Sequence, residues 1–282
     1  MGPTTLLLAP SFRELNPGVG RAAVRNLVWM TERGLLLDDT DTDRFLAGRV
    51  THLATGLFPA IPSAQLDLAA DLVGWALLLA DRLAGGGARR DRAWVQETVG
   101  QLTTVIDCPG APRLRTHPPL VRAWVDVWER SCGDMPDVWR TRAGAHWKEA
   151  FKALQGAGRF PALCLPLLDL AEVFHGQVLR PDLYRTGFLT RLRSLTGEHL
   201  ALVDEAFSGC VPVAAVQAGR SADRTLRDFR SLAAQAGAVC ADMDLSAGSR
   251  MAVDLHIQAM RWTMRAHADW LRIADAAAHP ME

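Results

Sequence analysis

The sequence has no excess of charge of either sign. Its 31 lysine and arginine residues are matched by 31 aspartate and glutamate residues over 282 positions. Proteins whose main partner is a nucleic acid usually carry a clustered basic surplus, because they must neutralise phosphates. The balance therefore predicts that nucleic acid is not a partner of this protein.

Long apolar runs are also lacking, although hydrophobic residues make up 49% of the chain. The longest candidate, residues 72–80, is well short of the ~20 apolar residues that a membrane-spanning helix needs. The first ten residues have no basic stretch before their three leucines, so they do not resemble a secretory leader. We therefore expect no membrane insertion and a cytoplasmic location.

Cysteine and tyrosine are scarce, which argues against zinc and disulfide sites and against β-strands, respectively. The five cysteines are odd in number and form no CxxC pair, which argues against a zinc site and against a disulfide framework. The single tyrosine and the lack of period-two alternation disfavour β-strands. Alanine, leucine and arginine dominate instead, and these residues favour helices. The composition predicts an all-α protein.

Proline and glycine clusters divide the chain into about ten to twelve predicted helices. The clearest is 64–84, which follows Pro62 and a Ser63 N-cap and ends at three glycines. Its middle is apolar on every side, which predicts a central position in the fold. No composition break divides the chain, so a single domain over 1–282 is expected. The other predicted helices are 18–31, 42–58, 91–106, 118–132, 136–155, 164–174, 182–195, 198–208, 222–241 and 248–278.

Five segments, in order along the chain, resemble those of class I terpene synthases of actinobacterial type. The opening segment 10–36 is similar to the family's entry segment, with its Asn-Pro, its tryptophan and its closing Gly-Leu. The sequence PLLDLAEV at 166–173 resembles the short helix before the family's second metal motif. The other similar segments are 44–81, 117–151 and 252–270. The resemblance implies a single-domain antiparallel α-helical bundle, the isoprenoid synthase fold, around a central apolar cavity.

The resemblance also implies a chemistry and its partners. In this family, carboxylates on two facing helices hold three Mg²⁺ ions, which neutralise the diphosphate as it leaves an allylic substrate. The remaining carbocation cyclises in a pocket that excludes water. The implied partner is a hydrophobic small-molecule substrate, and a homodimer is a further implied assembly because the family often forms dimers.

The first metal motif of the family, Asp-Asp-x-x-Asp, is reduced here to one carboxylate. The matching stretch keeps only Asp81, which is either a remaining metal or diphosphate contact or a helix-end carboxylate paired with Arg82 or Arg89. Arg159 matches the family's diphosphate-sensing arginine by spacing. The family's C-terminal Arg-Tyr pair would fall near residues 276–277, which are alanines.

The second metal motif, Asn-Asp-x-x-Ser-x-x-x-Glu, is also incomplete. Its spacing places three oxygen ligands at i, i+4 and i+8 on one helix face. Asp204 and Ser208 keep the first two positions, and Glu205 lies beside Asp204. Pro212 occupies the third position, where it supplies no oxygen ligand and is expected to break the helix. The alternative interpretation of Asp204 and Glu205 is a solvated acidic pair.

The remaining ligand inventory predicts either no metal cofactor or a single Mg²⁺ ion, since Mg²⁺ can bind through one or two carboxylates when phosphates and waters complete its shell. Asp81, Arg159, Asp204 and Glu205 are the candidate catalytic residues. Asp81, Asp204 and Ser208 are the candidate metal ligands.

Aromatic and methionine side chains are candidates for the wall of the implied pocket, where aromatic faces stabilise a positive centre. Ordinary core packing is the alternative for each of them. On the last helix, His256, Arg261, His267 and Asp269 supply either acid–base chemistry or a partly exposed polar face. The candidate pocket residues are Phe58, Trp75, Leu78, Phe151, Phe174, Phe207, Met260, Trp262 and Met264.

Three functions remain open from the sequence. The first is an enzyme that cyclises, isomerises or joins a terpenoid or polyene substrate with little or no use of the three-magnesium ionisation. The second is a Mg²⁺-dependent sesquiterpene or diterpene cyclase that acts on a prenyl diphosphate through reduced motifs. The third is a non-catalytic carrier of hydrophobic ligands or an inactive partner subunit.

Overall fold

The computed structural model describes residues 16–84, 92–108, 117–155, 159–208 and 212–278. These residues form thirteen α-helices and no β-strand. The all-α prediction is confirmed. The helices are α1 Val19–Glu32, α2 Asp39–Ala47, α3 Val50–Leu57, α4 Ser63–Ala84, α5 Arg92–Asp107, α6 Pro119–Cys132, α7 Asp137–Ala153, α8 Arg159–His175, α9 Pro181–Tyr184, α10 Gly187–Ser208, α11 Pro212–Ala233, α12 Ala236–Asp242 and α13 Ala247–Ala278.

Predicted helix boundaries differ from those in the structure at four places. The predicted helix 164–174 begins five residues earlier, at Arg159. The predicted helix 42–58 is two helices, because the chain turns at Gly48 and Arg49, and Arg49 adopts a left-handed conformation with φ 45°. The predicted helices 182–195 and 198–208 are instead a single turn, α9, followed by the continuous α10. The predicted helix 222–241 begins ten residues earlier, at Pro212, and is divided into α11 and α12.

The described residues form two compact units, which divide between Pro166 and Leu167. This boundary lies inside α8, beside the proline in that helix. A proline within a helix removes one backbone hydrogen bond and kinks the helix. We call residues 16–166 the N-terminal unit and residues 167–278 the C-terminal unit. The assignment of 1–282 to a single domain stays a prediction.

Helix α4 is central in the N-terminal unit, where it packs against α1, α3 and α6. Leu66, Leu72, Trp75 and Leu79 on this helix are fully or almost fully buried, as expected for a helix that is apolar on every side. Its segment Ser63–Leu83 is long and apolar enough to cross a membrane by composition alone, but 67% of the most apolar window is buried within the protein. A core helix of this kind meets the same criterion.

A polar network joins α1, α4 and α6 across the N-terminal unit. Asp71, which is buried, accepts a hydrogen bond from the Asn26 amide at 2.9 Å and one from the Arg130 guanidinium at 2.8 Å. Arg130 also contacts Asp126, which accepts a hydrogen bond from the Trp29 indole at 3.0 Å. Burial raises the pKa of Asp71, and the hydrogen bonds from Asn26 and Arg130 oppose that effect. The network fixes the three helices by charge and hydrogen bonding as well as by apolar packing.

Helix α10 organises the C-terminal unit by packing against both α11 and α13. Val203, Ala222 and Ala268, one from each of these helices, form a buried apolar cluster against which Phe207 and Leu271 pack. Small alanines at this contact allow the backbones to approach closely. This packing sets the positions of the polar side chains near the end of α10.

Candidate functional site

Helix α10 ends at Ser208, and the next described residue, Pro212, begins α11. Proline is accommodated at the first position of a helix, where its missing N–H has no intrahelical partner to lose. Residues 209–211, between these two helices, lie outside the described part of the chain, so the predicted helix break at Pro212 stays a prediction. Asp204 and Ser208 occupy the last turns of α10, whereas the third position of the motif is the first residue of another helix.

Asp204 lies against the last long helix. Its Oδ1 atom is 2.8 Å from Nε2 of His267 on α13. The His267 side chain is fully buried, whereas 23% of the Asp204 side chain is exposed. The carboxylate therefore contacts a buried imidazole, and part of its own surface is accessible. Glu205 and Ser208 are exposed.

A second buried histidine, His199, lies earlier on α10. Its Nδ1 atom is 3.1 Å from the carbonyl oxygen of Ala222 on α11. Burial lowers the pKa of His199 to about 4; the hydrogen bond with Ala222 offsets part of this effect, and the positive charges of His267 and Arg230 add to it. The ring is therefore neutral near pH 7, so that it donates its Nδ1–H to the Ala222 carbonyl. His199, Asp204 and His267 form a titratable group in the C-terminal unit.

Asp81 lies in the last turn of α4 in the N-terminal unit, and its side chain is exposed. The adjacent Arg82 guanidinium donates a hydrogen bond to the Leu35 carbonyl at 2.6 Å. Arg89, the other predicted partner of Asp81, lies outside the described residues. Asp81 therefore stays a candidate contact for a metal ion or a diphosphate.

Two further motif positions fall where side chains are not described. Arg159 is the first residue of α8, and its side chain lies outside the described part of the chain. The alanines at 276–277, where the family has Arg-Tyr, belong to the last turns of α13, again without described side chains. The sensing role of Arg159 stays a prediction.

The described donor set does not fit the three-magnesium cluster that the resemblance implies. Among residues with described side chains, no group of three His, Cys, Asp or Glu residues could hold a metal ion. At the end of α10, the motif offers the oxygens of Asp204 and Ser208, and one of these oxygens already contacts His267. Two donors can support one Mg²⁺ when phosphates and waters supply the rest of its shell.

The pocket candidates of the N-terminal unit lie in or near an aromatic cluster. The Trp75 ring stacks on Trp124 with centroids 4.7 Å apart, and Phe151 contacts it edge-on at 6.2 Å. The Trp75 indole donates a hydrogen bond to the Leu120 carbonyl at 2.9 Å. Trp75, Phe151 and Phe58 are buried, and Leu78 is half-buried. Their packing matches the core alternative, and a pocket role stays a prediction.

The pocket candidates of the C-terminal unit include two accessible aromatic residues. Phe207 is half-buried against the Val203–Ala222–Ala268 cluster, and Trp262 is half-buried with its ring 6.0 Å from that of His175. The other candidates in this unit, Phe174, Met260 and Met264, are buried. Phe207 and Trp262 are thus the members of this group with surface available to a bound molecule.

A buried polar cluster supports the segment PLLDLAEV on α8. Nδ1 of His256 lies 3.6 Å from Glu172 Oε1, and Glu172 Oε2 accepts a hydrogen bond from the Leu179 backbone at 3.3 Å. The Arg193 guanidinium lies over the Tyr184 ring at 3.7 Å, and Tyr184 contacts His256 edge-on. These contacts agree with a structural role for Glu172, and they place His256 in the same cluster.

A separate cavity of about 800 Å³ lies between α5, α6 and α7 in the N-terminal unit. Val105, Trp128, Arg140 and Lys148 are among its lining residues, whereas the nine predicted pocket residues, all within the described ranges, do not line it. Cys132 also lines it, and burial raises the pKa of that thiol to about 11, so the thiolate is scarce at neutral pH. This cavity could not be predicted from the sequence, because it depends on the packing of three helices.

Asp204 and His267 are both candidates from the sequence, but the sequence does not pair them. Asp204 was identified by motif spacing, and His267 was one of four polar residues on the last helix. Their contact joins two helices far apart in the sequence, so it depends on the rotation of α13 about its axis. The pair could have been inferred only from the presence of a motif carboxylate and a histidine on two helices that the resemblance implies pack together.

Curated relatives and solved structures were compared with the chain. No family model matches it. Pristinol synthase from Streptomyces pristinaespiralis is 30% identical over 313 aligned residues, which cover 95% of this chain and 83% of the relative. The (-)-beta-caryophyllene synthase of Saccharothrix espanaensis, which its name describes as (2E,6E)-farnesyl diphosphate cyclizing, is 25% identical and covers 93% of this chain and 85% of its own length.

The fold is shared with solved enzymes at lower sequence identity. The structure of a-eudesmol synthase matches with a TM-score of 0.81 at 18% identity, over 94% of this chain and 98% of the other. Germacradien-4-ol synthase from Streptomyces citricolor matches with a TM-score of 0.78 at 22% identity, over 94% and 99% of the two chains. Together with the extended likeness to pristinol synthase, these matches establish that the chain belongs to the bacterial class I terpene synthase family and is a terpene-synthase-like enzyme.

Proposed function

We propose that this enzyme cyclises, isomerises or joins a hydrophobic terpenoid or polyene substrate with little or no dependence on three-magnesium ionisation of a diphosphate. One observation carries the proposal: α10 ends at Ser208, and the third ligand position of the second metal motif, Pro212, begins α11. Proline has no side-chain oxygen to offer a metal ion. The first motif keeps only Asp81 of its three carboxylates, so both halves of the family's ligand set are short of donors.

A substrate without a diphosphate fits this inventory. A diphosphate leaves readily only when its developing charge is neutralised, and the reduced motifs supply few metal ligands for that purpose. A neutral polyene instead requires a pocket that holds reacting carbons together, which lowers the entropic part of the barrier. Phe207 and Trp262 offer aromatic faces that stabilise a positive centre by about 0.5–2 kcal/mol each. Asp204 offers a carboxyl group that would donate, as the acid, the proton that creates this centre at a double bond, and that would take a proton back, as the carboxylate, when the product forms.

The test measures turnover with and without a chelator. Purified enzyme is incubated with farnesol, nerolidol, β-farnesene and geranylgeraniol in EDTA, and parallel reactions contain Mg²⁺; products are analysed by gas chromatography and mass spectrometry. We expect conversion of a neutral substrate at the same rate in both conditions. Turnover confined to prenyl diphosphates and abolished by EDTA would contradict the proposal.

A Mg²⁺-dependent cyclase is the second candidate function. The observation in its favour is the likeness to the (2E,6E)-farnesyl diphosphate cyclizing relative, which extends over 93% of this chain. Under this alternative, Asp81, Asp204 and Ser208 would be the remaining metal ligands, and Mg²⁺ would neutralise the departing diphosphate. Pyrophosphate release from geranyl, farnesyl and geranylgeranyl diphosphate measures this activity, and Asp81→Ala would abolish it. Absence of release from all three substrates would exclude this candidate.

The proposed setting is the cytoplasm, with a hydrophobic small molecule as substrate and without nucleic acid or membrane insertion as part of the function. The balanced charge supports the absence of a nucleic-acid partner. A homodimer is the proposed assembly, and light scattering coupled to size-exclusion chromatography measures it. An eluted mass equal to one chain at micromolar concentration would contradict the dimer.

A further inference from the structure

We propose that His267 is a positioning residue that holds Asp204 in a carboxylate–imidazole pair and thereby weakens the binding of a divalent cation by this carboxylate. The pair occupies the place where the family's second motif supplies a metal ligand. The inference deepens the proposed function, since it rests on the assignment of Asp204 to that site. Its test uses no turnover, so the two can fail separately.

The geometry of the pair makes the imidazole and a cation competitors for the same carboxylate. Nε2 of His267 lies 2.8 Å from Asp204 Oδ1, on the side of the carboxylate that faces α13. The packing of Val203, next to Asp204, and Ala268, next to His267, fixes the two helices at this point. The contact is therefore built into the helix packing.

Displacing His267 from Asp204 is unfavourable because the imidazole is fully buried. A buried polar group that loses its partner carries an uncompensated desolvation cost. A cation that drew Asp204 away would bear this cost, which weakens its apparent affinity on the order of tenfold to a hundredfold. The compensating ligands are few, because Ser208 supplies one further oxygen and Pro212 supplies none.

The same pair of packed helices provides a matched control. His199 is buried on α10, as His267 is on α13, but its ring contacts the Ala222 carbonyl rather than Asp204. Removing the His199 imidazole perturbs the same region of the C-terminal unit and leaves the carboxylate contact in place. Glu198, exposed on the same helix as Asp204, controls for non-specific binding to a surface carboxylate.

The experiment measures Mn²⁺ binding by electron paramagnetic resonance, with no substrate present. The variants are His267→Leu, His267→Gln, Asp204→Asn, the double variant His267→Leu/Asp204→Asn, His199→Leu and Glu198→Gln. We expect the unmodified protein to bind Mn²⁺ weakly and Asp204→Asn to leave that binding unchanged. His267→Leu should bind at least tenfold more tightly, and Asp204→Asn should cancel the gain.

The remaining variants separate positioning from a general structural role. His267→Gln keeps an N–H donor for the carboxylate, so it should restore weak binding. His199→Leu and Glu198→Gln should bind Mn²⁺ as the unmodified protein does. Melting curves by circular dichroism establish that each variant is folded.

Two results would overturn the inference. One is tight Mn²⁺ binding by the unmodified protein that Asp204→Asn removes. The other is a folded His267→Leu variant with unchanged affinity. If His267→Leu does not fold, the comparison between the unmodified protein and Asp204→Asn still tests the inference. Asp204→Asn weakens Mn²⁺ binding only if the Asp204 carboxylate is available to the metal ion. If turnover requires a metal ion but Asp204→Asn leaves Mn²⁺ binding unchanged, the proposed function is refuted and the inference stands.

Discussion

The histidines of the C-terminal unit show how burial sets the chemistry of single residues. His199 and His267 are both buried, on helices that pack together, yet one contacts a backbone carbonyl and the other a carboxylate. Helix packing therefore selects the contact partner of each ring, although the sequence shows both simply as a histidine on a helix.

His199 makes the stability of the protein depend on pH below neutrality. Its pKa is about 4 in the folded protein, against an ordinary value of 6.5, so the unfolded chain binds the proton more tightly. The stabilisation is complete above pH 6.5 and is lost as the pH falls towards 4, by about 3 kcal/mol in total. Urea denaturation at pH 7.5, 5.5 and 4.5 measures it, and His199→Gln should flatten the dependence. Equal slopes in the two proteins would contradict this assignment.

Motif spacing identified Asp204 and Ser208 from the sequence, because helical periodicity alone places i and i+4 on one face. It could not identify the partner of Asp204, since that contact depends on the packing of α13. The tryptophans illustrate the same limit. Trp75 is aromatic and central by pattern, but its stacking on Trp124 results from the contact between α4 and α6.

At the scale of elements, two glycines on neighbouring helices have opposite roles. Gly144 on α7 lies so close to α5 that an added Cβ would be 2.7 Å from Cγ2 of Ile106, whereas Gly100 on α5 has no heavy atom within 4 Å of that position. Gly144 therefore permits the approach of the two helices. Gly100 contributes only backbone freedom, which weakens a helix.

Alanine substitutions should separate these roles. Gly144→Ala should destabilise the protein by about 1–2 kcal/mol, because overpacking outweighs the gain in helix propensity. Gly100→Ala should stabilise it by about 0.5–1 kcal/mol. Chemical denaturation measures both, and a double-mutant cycle with Ile106→Ala should remove the penalty at Gly144. A stabilising effect of Gly144→Ala would contradict this prediction, because it would mean that α7 shifts away from Ile106 without a cost in free energy.

Helix boundaries were predictable where turn chemistry marks them. Helix α4 begins within one residue of its prediction, because Pro62 and Ser63 are typical residues at a helix start. The break between α2 and α3 was missed. An arginine does not indicate the left-handed conformation that Arg49 adopts with φ 45°. The local sequence therefore predicts a continuous helix across the turn.

At the scale of the whole molecule, the fold was predictable because five similar segments occur in the family's order. Their order constrains topology more than any single motif does. The chemistry was less predictable, because it depends on a small number of side chains at which this chain departs from its relatives. The number of possible metal ligands depends on Pro212 and on the few positions where the family's motif carboxylates are replaced. The fold depends on the packing of the whole chain.

The neutral charge balance has a consequence for the behaviour of the protein in solution. With 31 basic and 31 acidic residues, molecules near pH 7 repel one another weakly, and association is favoured. We expect solubility at low ionic strength to be lowest near neutral pH and to rise towards pH 5.5, where histidines gain charge, and towards pH 9. Light scattering across this range measures it. A solubility independent of pH would contradict the expectation.

The aromatic cluster around Trp75 gives one part of the chain an optical signature of its own. Seven of the nine tryptophans lie in the N-terminal unit, and stacked or tilted rings there have centroids 4.7–6.2 Å apart. Indoles at such separations exchange excitation energy and couple their electronic transitions. Intrinsic fluorescence and near-ultraviolet dichroism will therefore follow the loosening of this unit, while Trp262 and Trp270 alone report on the unit that contains Asp204.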